Sequence, residues 1–180
     1  MAKIFITGSS DGLGKLAAEK LIQSGHNVFL HARNTEKKEV LAGKITEAAD
    51  ILVGDLAKME EVKSLADQVN VHGKMDSIIH NAGVYSADSA TLFQVNVLAP
   101  YSLTALMELP KRLIYLSSGM HLGGRPIYRK EDLPSINYSD TKLMVSTLAA
   151  ALAKRYPNTL SNSVDPGWVP TKMGGKNATD

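Results

Sequence analysis

Short apolar runs separated by longer amphipathic stretches set the rhythm of this chain from its first residues. Lys3–Thr7, Asn27–Ala32, Asp50–Val53, Ser77–His80, Arg112–Ser117 and Thr159–Val164 are the predicted strands. Most are rich in Val, Ile, Leu or Phe, and several lack an apolar–polar alternation, as strands buried on both faces do. Helical periodicity falls between them, over Leu13–Ser24, Glu36–Glu47, Met59–Val69, Ala90–Met107 and Ser139–Tyr156. Gly25 directly follows the first of these and fits a C-terminal cap. Repeated strand–helix–strand alternation predicts an α/β fold with a parallel sheet and helices on both faces. The 180 residues suffice for one domain with a sizeable core, and residues 1–180 are read as that single unit. The one extended connection, residues 119–137, carries Gly123, Gly124, Arg125 and Pro126. A loop of that length in a compact domain is expected to shape a site rather than merely join elements.

Composition narrows the function classes. Hydrophobic residues at 44% and charged residues at 21% are ordinary for a globular protein. A formal charge of +2 is too near balance to point to nucleic acid or an anionic membrane. Cysteine is absent, which excludes disulfides and thiolate chemistry. The apolar Ile4–Ile6 is far too short for a signal-peptide core, and no apolar run approaches a bilayer's thickness. A cytoplasmic location, no membrane or nucleic-acid partner and no metal site are the expectations.

Chemistry enters at Thr7-Gly8-Ser9-Ser10-Asp11-Gly12-Leu13-Gly14, between the first strand and the first helix. Glycine permits tight-turn angles and close approach of backbone to a ligand. The helix N-terminus offers free N–H groups and a partial positive charge to a pyrophosphate. The spacing is Gly-x-x-x-Gly-x-Gly rather than the Gly-x-Gly-x-x-Gly of many dinucleotide folds. Further motifs sit at the ends of later strands: Gly54-Asp55-Leu56, Asn81-Ala82-Gly83, Ser117-Ser118 and Pro166-Gly167. Asn96 lies inside a helix, and Tyr138-x-x-x-Lys142 opens another.

In that order and at those boundaries, the motifs resemble the classical short-chain dehydrogenase/reductase family over essentially the whole chain. The resemblance implies a Rossmann-type doubly wound sheet, C-terminally short for the family, and hydride transfer between a nicotinamide cofactor and a carbonyl or alcohol. It implies Asn96, Ser118, Tyr138 and Lys142 as the catalytic group. Tyr138 would pass the proton, Ser118 would hold the substrate oxygen, and Asn96 would position a water linking Lys142 to solvent. Gly8, Ser9, Ser10, Gly12, Leu13, Gly14, Arg33, Asp55, Leu56, Asn81, Ala82 and Gly83 would meet the cofactor. So would Tyr138, Lys142, Pro166, Gly167, Val169 and Thr171, the last facing the carboxamide.

Physical chemistry supports the central pair. Residues four apart project from one helix face. A phenol is too weak an acid near neutrality, and an adjacent ammonium is expected to lower its pKa. After the second strand, Ala32 and Arg33 stand where an acidic residue would bind a ribose 2′-hydroxyl. Arg33 can grip a 2′-phosphate, which favours NADP, with NAD as the second possibility. Asp11 is a counter-signal, because many NADP-binding relatives carry a basic residue there. Ser118 precedes Tyr138 by 20 residues, longer than the family's usual spacing, and with Ser-Ser-Gly-Met-His121 this resembles the retinol-dehydrogenase-like branch. Trp168 could line the pocket or cover the core. Without the family's later elements the sixth strand is expected to be an open edge. A cofactor-binding module without turnover is the competing function class, and pairing of two copies through the fourth and fifth helices is a possibility.

Overall fold

The computed structural model of the protein describes residues 1–175 and 178. Strands β1 (Lys3–Ile6), β2 (Asn27–Ala32), β3 (Asp50–Val53), β4 (Ser77–His80), β5 (Arg112–Leu116) and β6 (Leu160–Val164) form one sheet. Its order is β3-β2-β1-β4-β5-β6, and every neighbouring pair is parallel. The helices are α1 (Gly12–Gln23), α2 (Thr35–Ala42), α3 (Met59–Val71), α4 (Ser89–Phe93), α5 (Ala99–Leu106) and α6 (Tyr138–Arg155). This is the parallel sheet that the strand rhythm predicts, in the doubly wound order that the family resemblance implies.

The absence of alternation in the strands has a simple cause. Ile4 and Ile6 of β1 pack with Val28, Leu30 and Ile51 under Ala18 of α1 and Leu41 of α2. Phe5, between them, points to the opposite face and joins Phe29, Leu52, Ile78, Leu113 and Tyr115. There Val62, Leu65 and Val69 of α3, Leu103 of α5 and Val145 of α6 complete the layer. Each fully buried Leu or Ile contributes about 2 kcal/mol, so the two cores hold the sheet from both sides.

Two predicted helices are corrected. The second ends at Ala42, with Gly43 as its cap, instead of running to Glu47. Glycine is a poor helix interior residue, and Ile45 turns into the core instead. The predicted Ala90–Met107 helix is three pieces: α4, a π turn over Gln94–Leu98, and α5. Pro100 has no N–H for the carbonyl of residue 96 and its ring crowds that carbonyl, so the α ladder is interrupted there. In contrast, α6 starts one residue early because Asn137 and Asp140 form a reciprocal capping box.

The long connection is ordered by two 3₁₀ turns, Gly119–Gly123 and Lys130–Ser135. Its neck is fastened at Arg125, whose backbone N–H donates to Asp140 Oδ1 (2.7 Å) and whose guanidinium reaches Asp140 Oδ2 (2.9 Å) and the Ser135 carbonyl (2.9 Å). Among the described residues β6 is an edge strand, and no helix is long and apolar enough to cross a membrane. Of the tail 173–180, in which the sequence shows no helix or strand pattern, residues 176, 177, 179 and 180 lie outside the described residues.

The sheet order reverses between β1 and β4: β2 and β3 lie on one side, β5 and β6 on the other. Chains leaving the C-terminal ends of β1 and β4 therefore diverge and open a crevice, the place where such sheets bind ligands. The motifs converge there.

Candidate active site

The crevice floor is built from backbone held by side chains. Thr7 Oγ1 accepts the N–H groups of Asn81 and Ala82 (3.1 Å each), while Asn81 Nδ2 donates to the carbonyls of Thr7 (2.9 Å) and Gly8 (3.1 Å). The end of β1 is thereby bolted to the end of β4. Gly8 has φ +65°, and a Cβ on it would lie 2.9 Å from Ala82 Cα. A Cβ on Gly14 would run into Asn81 Nδ2 and the Gly8 carbonyl. Gly8 is thus required by backbone angle as well as space, and Gly14 by close packing alone.

A cavity of about 440 Å³ occupies the crevice. Gly8, Ser10, Gly12 and Leu13 line it from the turn, and Asn81, Ala82 and Gly83 from the exit of β4. Arg33, Asp55 and Leu56 line one end, and Tyr138, Lys142, Pro166 and Thr171 the other. A Cβ on Gly83 would lie 3.6 Å from Lys142 Nζ, so its absence keeps the floor open before that ammonium. Six of the named candidates stand off the cavity wall: Ser9, Gly14, Asn96, Ser118, Gly167 and Val169.

Their positions say what they do instead. Ser9 is buried and locks β1 to β2, its hydroxyl accepting the His31 N–H at 2.7 Å and bonding the Ile6 carbonyl at 3.1 Å. Asn96, in the π turn, is 2% exposed and its amide is engaged on every side. Oδ1 accepts the Val84 N–H (2.8 Å), and Nδ2 donates to the Val84 carbonyl (2.9 Å) and Thr141 Oγ1 (3.1 Å). It stitches the exit of β4 to α6. Gly167 takes φ +75° in the turn after β6, and the Val169 carbonyl accepts the Thr171 N–H at 2.8 Å. Trp168 neither lines the cavity nor covers the core; it is exposed, with Nε1 donating to the Gly174 carbonyl.

At the other end of the cavity, Tyr138 and Lys142 sit one turn apart on α6, with Nζ over the phenol ring at 5.4 Å from its centroid. The expected lowering of the phenol pKa is not what the surroundings produce. Burial pushes Tyr138 above its ordinary value, the Ser118 hydroxyl pulls the other way, and Tyr85 and Asp165 add to the rise. Burial also pushes Lys142 down to about 8, with no carboxylate to oppose it. The physical reason is desolvation of both groups, with Nζ lying over the ring and donating to the Leu116 carbonyl at 2.6 Å. The two serines differ in their surroundings. Ser117 is buried and tied to Ser146 Oγ (2.7 Å) and the Lys142 carbonyl (3.2 Å), whereas Ser118 is only half-buried and acts on the phenol. His121 is half-buried, its Nδ1 held 2.7 Å from the Ser118 carbonyl.

Charges ring the opposite mouth. Arg33, with 72% of its side chain exposed, lies 3.8 Å from Asp55. Asp55 also turns the chain, its Oδ1 accepting the Ala57 N–H at 3.0 Å. Asp11 caps α1 and is paired with Lys172, whose hydrogen bond holds its carboxyl below the usual range. No local pattern betrays that pair, because 161 residues separate its members. His31, another cavity residue without a sequence signal, bonds Gly8 and Gly54 with its two ring nitrogens. Among the described residues no cluster of His, Asp or Glu is arranged to hold a metal ion.

A family model described as short chain dehydrogenase matches residues 2–180. The chain belongs to the short chain dehydrogenase family. A protein of Emericella nidulans named as an uncharacterized oxidoreductase is 44% identical over 97% of this chain and 73% of its own length. A short-chain dehydrogenase of Penicillium rubens is 42% identical over 100% of this chain and 76% of its own. A solved structure from Escherichia coli, described as a short chain dehydrogenase complexed with NADPH, superimposes with a TM-score of 0.82 at 27% identity. It is matched over 96% of this chain and 79% of its own. This short-chain dehydrogenase is, like its named relatives, an oxidoreductase.

Proposed function

We propose that this chain moves a hydride between NADP(H) and a carbonyl or alcohol, with Tyr138 as the proton donor and acceptor. One observation carries the reading: the glycine turn, the phenol and the ammonium line a single cavity at the switch point of the sheet. The residues fit a dinucleotide. The missing Cβ atoms at Gly8 and Gly14 let the turn pack tightly against the exit of β4, and the one missing at Gly83 keeps the floor open before Lys142. The α1 N-terminus supplies N–H groups for a pyrophosphate, and Lys172 neutralises the carboxylate of Asp11 that would repel it.

When bound, the nicotinamide supplies or accepts the hydride. In reduction Tyr138 donates its proton to the substrate oxygen, and in oxidation it takes a proton from the alcohol. A phenol raised by burial is fully protonated near neutrality, which suits the reducing direction. Ser118 holds the substrate oxygen beside it. Lys142 has three donors, one of them given to Leu116, which leaves two for the nicotinamide ribose and for charge developing on the phenol oxygen. Asn96 holds the segment that carries Gly83 against α6, and a water near it would relay protons from Lys142. Gly12, Leu13, Asn81, Ala82, Pro166 and Thr171 line the cofactor channel, and Gly167 and Val169 form the turn behind it.

Arg33 favours the phosphorylated cofactor. Its exposed guanidinium at the mouth can bind a 2′-phosphate in charge-assisted geometry. The Escherichia coli relative binds NADPH. Self-association belongs to the same reading, since Tyr101 and Leu106 of α5 stay exposed. The test is titration of wild type and Arg33→Ala with NADPH and NADH by nicotinamide fluorescence, beside turnover of a panel of alcohols, aldehydes and ketones. NADPH affinity should fall about tenfold or more in the variant and NADH affinity little. Equal losses refute the role of Arg33, and binding without turnover anywhere on the panel refutes the carbonyl chemistry.

A further inference from the structure

We propose that His31 is a positioning residue for cofactor binding: a neutral imidazole that accepts the Gly8 N–H and so fixes the turn on which the pyrophosphate rests. The inference rests on the NADP(H) reading above and goes beyond it, since nothing in the glycine motif involves this residue.

His31 interrupts the apolar run that begins at Val28 in strand β2. It is 4% exposed, and its side chain reaches the cavity floor from below the turn. Both ring nitrogens end on backbone groups of other strand ends. Nδ1 lies 2.9 Å from the Gly8 nitrogen after β1, and Nε2 lies 2.7 Å from the Gly54 carbonyl after β3. Elementary chemistry then places the proton. A backbone N–H can only donate and a carbonyl can only accept, so Nδ1 is bare and Nε2 carries hydrogen. Burial favours the neutral ring, against the smaller opposing pull of the Gly54 carbonyl and the Asp55 carboxylate.

The backbone of His31 is fixed as firmly as its ring. Its N–H donates to Ser9 Oγ, whose own hydroxyl bonds the Ile6 carbonyl. Ser9 thus anchors the histidine, and the histidine anchors the residue before Ser9. Gly8 is caught between the imidazole and Ala82, at a φ of +65°. Loss of the acceptor would take its protein partner from the half-buried Gly8 N–H and free the turn to rotate away from the angle the cofactor needs.

Two amide replacements separate this role from packing. His31→Asn puts an amide oxygen near the place of Nδ1, whereas His31→Gln puts an NH₂ near the place of Nε2. The experiment compares full-length wild type, His31→Asn, His31→Gln and His31→Leu at neutral pH. It measures NADPH dissociation by fluorescence, kcat and KM for NADPH, and thermal unfolding. His31→Gln and His31→Leu should weaken NADPH binding about tenfold or more, through KM, with kcat at saturation within about twofold. His31→Asn should recover most of the affinity. Equal losses in the two amide variants, or affinity that simply follows melting temperature across the series, overturns the proposal. Should the variants not fold, ¹⁵N spectra of the wild-type imidazole decide: a bare Nδ1 supports the proposal, and a proton there overturns it. Wild type that does not bind NADPH removes the cofactor reading first, and this inference with it.

Discussion

The two flanks of the crevice are made on different principles. On the β1–β3 side, Ser9, His31 and the backbone of Gly8 and Gly54 form a closed set of neutral hydrogen bonds in which donors meet acceptors. On the β4–β6 side, Tyr138 is half-buried and Lys142 buried, with both pKa values displaced by desolvation. A second buried histidine, His80, marks the same contrast. The Pro100 carbonyl can only accept, so the Thr104 hydroxyl donates to it at 2.8 Å. Tyr115 Oη (2.7 Å) and His80 Nε2 (3.0 Å) must then donate to Thr104, which leaves His80 Nδ1 without a partner. The flank that would hold the cofactor is rigid through satisfied bonding, and the flank that would react keeps groups under electrostatic tension.

The largest test of that division is Tyr138→Phe. Removing the hydroxyl should lower turnover about a thousandfold while NADPH affinity stays within about twofold, because only the reacting flank is touched. Steady-state rates beside fluorescence titration check it, and a matching loss of affinity would show the flanks to be one unit.

Acid comes next. His31 and His80 are both held below the ordinary histidine value by burial, His80 at about 3. The unfolded chain therefore binds protons that the folded chain refuses. The contribution of these rings to stability should be flat above about pH 6.5 and decline below it, with His80 alone approaching about 1.4 kcal/mol per pH unit. Urea unfolding across the range from neutrality to about pH 4.5 measures the slope, and a flat profile would contradict the neutral rings.

The alkaline arm tests the other flank at lower amplitude. Lys142 is pushed down to about 8, so its ammonium is present below that pH and lost above it. The reduction rate at saturating cofactor should fall as pH rises through about 8, by no more than about tenfold per unit. Replacing Lys142 with Arg, which stays charged, should flatten that decline even if the rate is lower throughout.

Much of this was legible in the residues alone, and the misses have physical causes. Strands showed because parallel strands buried on two faces are continuous apolar runs. The glycine turn and the Tyr138–Lys142 spacing showed because each is set by local geometry at an element boundary, whereas Asn81, whose partners Thr7 and Gly8 lie on another strand end, showed only through its motif. The break at Pro100 was written in the sequence, but the apolar periodicity on either side of it masked the interruption. The phenol's direction of shift was missed because burial of two groups competes with their attraction, and a sequence carries no depth. His31 and the Asp11–Lys172 pair were invisible for another reason. Their partners are backbone groups or charges far along the chain, brought close only by the sheet order.

Arg125 draws the neck of the long loop shut, holding Asp140 on one side and the Ser135 carbonyl on the other. Everything between, from Pro126 to Pro134, is a side excursion whose length and sequence can drift without tugging on the start of α6. Tyr128, 86% exposed, sits on that excursion. Extending it would add only a slowly growing entropic penalty. The part of the molecule freest to diversify is therefore moored a single residue pair away from the helix that bears the phenol, so its surface can change without rebuilding the helix beneath it.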